Sequence, residues 1–177
     1  MEPQPSTPPH SAPDRLYRRV LALDVGEKRI GVALSDEAGQ FAMPLTTVQA
    51  QPPARALAQI GALVQEYRVE LIVIGWPLTL SGEVGVQAHT TQAFAAQLQS
   101  HVSVPLTMFD ERLTSTVAEQ ILREMGVKPE KRKQRIDEIA AMVILQDYLD
   151  HTRSRASYPP DHPSDAPEPP PAPSPYE

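Results

Sequence analysis

The sequence predicts an α/β protein whose five-stranded mixed sheet, three antiparallel strands plus two parallel ones, is flanked by helices. Three observations point there. Val20 to Ser35, V-L-A-L-D-V-G-E-K-R-I-G-V-A-L-S, reads as two apolar strands around a charged turn. Val69 to Ile74 is almost uniformly aliphatic and follows a helical pattern, as a central parallel strand requires. Beyond it, helical and strand periods alternate, which calls for crossover connections.

Taken in order, the first strand begins with the four apolar residues Val20 to Leu23 and is interrupted by Asp24. Gly26 and Gly31 bracket Glu27-Lys28-Arg29 as a hairpin turn, after which Ile30, Val32, Ala33 and Leu34 form the second strand. Phe41 to Val48 is the third, joined through Asp36 to Gly39, and links this short imply antiparallel neighbours. Pro52-Pro53 opens a helix over Ala54 to Tyr67, where Leu57, Ile60, Leu63 and Val64 make an apolar stripe. The strand Val69 to Ile74 stops at Gly75-Trp76-Pro77, and a loop runs from Leu78 to Gly82. A helix over Gly85 to His101 and a strand over Val104 to Phe109 follow, with Pro105 tolerated at the strand's start. Asp110-Glu111-Arg112 ends that strand, and Gly126 closes a helix over Thr114 to Met125. Lys128 to Arg135 reads as a basic linker, and Ile136 to Leu149 as a final helix apolar enough to be buried. In sheets of this order ligands gather beyond the carboxyl ends of the parallel strands.

Composition bounds the domain. Of 20 prolines, five fall in residues 1–14 and nine in 159–175, which marks residues 1–16 and 152–177 as disordered ends around one domain over 17–151. Residues 1–14 and 156–177 hold six of the 22 acidic side chains and no Lys or Arg, so the formal charge of −6 resides in them and residues 15–155 are neutral overall. An acidic chain of this kind does not exclude a nucleic-acid partner. The absence of cysteine excludes disulfides and thiolate metal sites. No run reaches the roughly 20 apolar residues of a membrane span, and no signal peptide is apparent, so a cytoplasmic protein without a membrane partner is expected. The five histidines are scattered and none is assigned to a metal.

Asp24 near the end of the first strand is costly unless a cation, a metal or hydrogen bonds compensate it, although capping of the turn explains it equally well on spacing alone. Asp110-Glu111 ends the last strand. If the two strands are parallel, their acids share one edge of the sheet. Asp137 stands with Ala140, Ala141, Ile144 and Tyr148 on one helical stripe near the start of the final helix, an unusual place for an acid. Three convergent carboxylates repel one another and need a cation, and oxygen-only ligands select Mg²⁺ or Mn²⁺. Two such ions about 4 Å apart are the arrangement that cleaves phosphodiesters.

Four ordered stretches give a sharper reading. L-D-V-G-E-K-R-I-G-V-A at Leu23 to Ala33, I-G-W-P-L at Ile74 to Leu78 with Gly82, D-E-R-L-T-S-T at Asp110 to Thr116, and K-R-K-Q-R-I-D-E-I-A-A-M-V-I-L-Q-D-Y-L at Lys131 to Leu149 resemble the YqgF or RuvX family over about residues 18–150. That resemblance implies an RNase H-like sheet and a metal-dependent endonuclease maturing the 5′ end of pre-16S ribosomal RNA. It also implies Asp24, Glu111 and Asp137 as the metal-binding acids, with a Holliday-junction resolvase as the alternative activity. Trp76-Pro77-Leu78-Thr79 departs from the family's Leu-Pro-Leu-Asn, which removes an amide and leaves a hydroxyl.

Cations accompany each acid in sequence: Lys28 and Arg29 follow Asp24, Arg112 adjoins Glu111, and Lys128, Lys131, Arg132, Lys133 and Arg135 precede Asp137. These suit phosphate contacts, hence recognition of structured RNA or branched DNA rather than of base sequence. A second copy of the chain and ribosome-assembly proteins are further candidate partners. Two rivals stand beside this reading. Asp24 to Gly31 also resembles the phosphate-binding hairpin of actin-like ATPases and sugar kinases, which need a second domain, and a non-catalytic nucleic-acid-binding assembly factor would need the fold alone.

Overall fold

The computed structural model describes residues 17–77, 85–110 and 114–157, without the side chains of 114–116, 133 and 134. Residues 1–16 and 158–177, within the two ends expected to be disordered, lie outside this description. So do the loop around Thr79 and residues Glu111 and Arg112. The element order is β1 (Val20–Val25), β2 (Arg29–Ser35), β3 (Ala42–Gln49), α1 (Pro53–Glu66), β4 (Leu71–Trp76), α2 (Val86–His101), β5 (Leu106–Asp110), α3 (Thr114–Glu124) and α4 (Pro129–Ala156).

One five-stranded sheet runs β3-β2-β1-β4-β5. The β1–β2 and β2–β3 pairs are antiparallel, while β1–β4 and β4–β5 are parallel, which is the mixed sheet expected from the sequence. Period-2 alternation divides the strands between two layers. Leu21, Leu23, Ile30, Val32, Ile72 and Ile74 point into the core beneath α1 and α2. Val20, Ala22, Ala33, Leu71 and Val73 meet Ala141, Ile144, Leu145 and Tyr148 of α4 on the opposite face. Helix α3 packs on the N-terminal half of α4 through Ala118, Leu122, Ile139 and Ala140.

Local chemistry sets the joints. Gly26 N–H donates to the Arg29 carbonyl at 2.9 Å, closing the first turn, and a Cβ on Gly26 would lie 2.7 Å from that carbonyl oxygen. In the second turn Gly39 takes φ +66°, and Asp36 accepts hydrogen bonds from the backbone N–H of Gln40 at 2.6 Å and Phe41 at 3.0 Å. Those two bonds hold the Asp36 carboxyl below its ordinary pKa.

The sequence-based outline differs most at the C-terminal end. Lys128 to Arg135 is helical from Pro129 onward, so α4 is a single 28-residue helix. Proline is compatible with the first helical turn, where its missing N–H is unpaired in any case, and Lys, Glu, Arg and Gln are good helix formers. Asp137 consequently sits in the third turn of α4 instead of at its start. The helix also runs through Ala156, past the boundary expected at residue 151.

Candidate active site

Asp24 is positioned by β1. It follows Val20 and Ala22 on the face covered by α4, and it lies in register with Gly31 of the antiparallel neighbour β2. Gly31 was expected to serve the turn, but its work is different. A Cβ there would lie 1.9 Å from the Asp137 carbonyl oxygen, so only glycine lets α4 rest directly on the strand. The backbone of Asp137 therefore lies over the position opposite Asp24, and two of the three acids meet on one face of the sheet.

The charges register this proximity. The Asp24 carboxyl is pushed up to about 6, first by burial and then by the facing Asp137 charge. Asp137 is itself held by Arg29, whose Nε donates to Oδ2 at 2.5 Å. Arg29 is the first residue of β2 and shares the α4-covered face with Gly31. The site thus contains two carboxylates and one internal guanidinium.

The parallel strands end beside it. Leu23 pairs with Ile74, and Trp76 with Asp110, so β1, β4 and β5 bring their carboxyl ends to one edge. Glu111 follows β5 directly in sequence and lies outside the described residues, so the convergence of three acids goes no further than the pair Asp24 and Asp137. Among the described residues no group of three or more His, Asp or Glu side chains is placed to hold a metal. The pair is nevertheless suited to a hard divalent cation, because a carboxylate whose ionisation is opposed by burial and by a second acid gains from a positive charge between them. Trp76 is buried, 4% exposed, and is core rather than a stacking platform.

The other predicted cations divide into two groups. Lys28, Lys128 and Lys131 are exposed near or on the elements that carry the acids. Arg132 donates through Nε to the Val127 carbonyl at 2.6 Å and Arg135 to Glu138 at 3.0 Å, so both brace the start of α4. Arg112, and the side chain of Lys133, lie outside the described residues. Gln87, which the sequence did not single out, donates from the first turn of α2 to the Val25 carbonyl at 2.7 Å and fixes the end of β1.

A family model described as "RuvX: Holliday junction resolvase" matches residues 18–151. The chain belongs to the RuvX family. Family membership agrees with curated relatives: a protein of Chloroflexus aurantiacus named "Putative pre-16S rRNA nuclease" is 59% identical over 135 residues, 76% of this chain and 88% of that one. A protein of the same name from a Roseiflexus species is 49% identical over 135 residues, 76% of this chain and 96% of that one. Among solved structures, Thermus thermophilus RuvC in complex with a Holliday junction substrate superposes with a TM-score of 0.50 at 14% identity, covering 76% of this chain and 95% of that chain. At that identity the likeness speaks to the fold, the RNase H-like sheet of the resolvases. This RuvX-family chain is accordingly a nuclease-class hydrolase acting on nucleic acid. No described helix is long and apolar enough to cross a membrane.

Proposed function

We propose that this protein is a divalent-metal-dependent endonuclease that processes the 5′ end of pre-16S ribosomal RNA. The observation that carries the reading is the meeting of Asp24 with Asp137 at the edge where β1, β4 and β5 end. The name shared by relatives at up to 59% identity favours the RNA precursor as substrate.

In this mechanism Asp24 and Asp137 would hold Mg²⁺ or Mn²⁺ together with Glu111, which follows β5 directly in sequence. The bound ion supplies Lewis-acid activation of water and charge stabilisation at phosphorus. Asp24 would have to be ionised to serve as a ligand, and its raised pKa favours that form above about pH 6. Gly31 holds α4 against the sheet so that Asp137 keeps its place. Lys28, Lys128 and Lys131, together with Arg112 and Lys133, contact the phosphate backbone and position it without reading bases.

The test is Asp24→Asn incubated with a labelled pre-16S rRNA 5′ end and, in parallel, a four-way DNA junction. Loss of metal-dependent cleavage with the fold intact is expected, and retained cleavage contradicts the assignment. The family model's description keeps branched DNA as the second reading, and preferential cutting of the junction by the parent protein would select it. Binding of RNA without any product at enzyme excess would instead support a non-catalytic assembly factor.

A further inference from the structure

The Arg29–Asp137 pair joins residues 108 positions apart at 2.5 Å, and the main chain is held on both sides of it. Arg29 is anchored in β2 by its register with Gln49 of β3, and the Asp137 main chain rests on Gly31. The guanidinium therefore occupies a carboxylate oxygen at the place where Asp24 also faces Asp137. An oxygen already accepting a charge-assisted hydrogen bond has less to offer a second cation, and a positive charge a few ångströms away opposes a divalent ion.

Extending the metal-dependent reading above, on which this rests, we propose that Arg29 is a built-in counter-ion that holds Asp137 in the metal-free protein and is displaced by the incoming divalent ion. Without an ion, the guanidinium offsets the repulsion between the two acids and keeps Asp137 aimed at Asp24. With an ion, two cations contend for the same oxygens. The guanidinium is the movable one, on a long side chain that is 37% exposed, whereas Asp137 is 21% exposed and pinned by its backbone. Arg29 thus sets the metal affinity, and once displaced it lies at the turn end of β2 with its charge available to an anionic backbone. It is a positioning residue in the empty site.

The experiment titrates Mn²⁺ into the full-length parent, Arg29→Gln and Arg29→Lys by calorimetry, and follows thermal unfolding of each in EDTA and in Mn²⁺. Arg29→Gln is expected to bind Mn²⁺ about tenfold more tightly, because a positive charge beside the ion has gone. It should unfold at a lower temperature than the parent in EDTA and show a larger rise on adding Mn²⁺. Arg29→Lys, which keeps the charge, should stay within about threefold of the parent affinity. A bracing role alone would lower the unfolding temperature equally in both buffers without tightening the metal. Arg29→Gln binding Mn²⁺ no more tightly than the parent overturns the proposal, as does Arg29→Lys tightening as much as Arg29→Gln. If the parent itself binds no Mn²⁺, the metal-dependent reading falls as well, whereas equal binding by all three removes only the role of Arg29. Arg29→Met, which keeps the aliphatic stem, provides the same comparison should Arg29→Gln fail to fold.

Discussion

Asp24 carries a conflict between stability and chemistry that a single titration exposes. Its carboxyl has a pKa near 3.8 in the unfolded chain and about 6 in the fold, raised by burial and by Asp137. Between those values the native state binds the extra proton, so stability falls as pH rises from about 4 through about 6 and levels off above. The corresponding penalty in the metal-free protein is on the order of 3 kcal/mol. Asp24→Asn should remove this slope and raise the unfolding free energy near neutral pH by about 2 to 3 kcal/mol, while abolishing cleavage. Denaturant titrations at about pH 5 and about pH 7.5 check it, with the variant's advantage appearing at the higher pH. A variant less stable than the parent at neutral pH would contradict the burial argument.

Two elements govern how the site is assembled. The contact of α4 with β2 depends on the missing side chain of Gly31, since a Cβ would stand 1.9 Å from the Asp137 carbonyl oxygen. Gly31→Ala should cost about 3 kcal/mol by forcing the helix off the strand, and should impair cleavage although Gly31 touches no ligand. Gly61, inside α1, has nothing within 4 Å of its would-be Cβ. Gly61→Ala should therefore stabilise by roughly 0.5 to 1 kcal/mol, and equal effects of the two substitutions in thermal melts would refute the packing account. The first turns of α4 offer a third test. Lys131 is exposed, and Lys131→Gln should reduce the salt dependence of RNA binding by about one unit of slope, uniformly across sequences, in filter-binding titrations.

At the scale of the whole molecule, α4 covers the sheet along its length and ends against the start of the first strand. Thr152 and Arg153 line a small cavity with Tyr17, Val20, Gly39, Tyr148 and Leu149, and Thr152 Oγ1 donates to the Tyr148 carbonyl at 2.9 Å. We propose that the folding unit is 17–157 rather than 17–151. A chain ending at residue 157 should melt within about 2 °C of the full-length protein, whereas one ending at residue 151 should melt several degrees lower. Calorimetry on the two truncations distinguishes the boundaries, and equal melting temperatures would return the boundary to residue 151.

The sequence by itself determined the element order and the mixed sheet, because strand and helix periods are local properties of the chain. The period-2 pattern of β2 is equally local. Arg29, Gly31, Ala33 and Ser35 alternate with Ile30, Val32 and Leu34, a small-and-polar face against an aliphatic one, and that face is where α4 lies. What the sequence could not settle was non-local. The basic run before Asp137 looked like a linker because its charges carry no apolar stripe, and it became helix as the start of an element whose later turns are buried. Arg29 looked like a cation for the backbone because its partner stands 108 residues away. Only the tertiary structure, by laying α4 on the bare backbone of Gly31, brought Asp137 to both Asp24 and Arg29. Opposed charges at that one point are what burial and Coulomb's law turn into a candidate site for a cation.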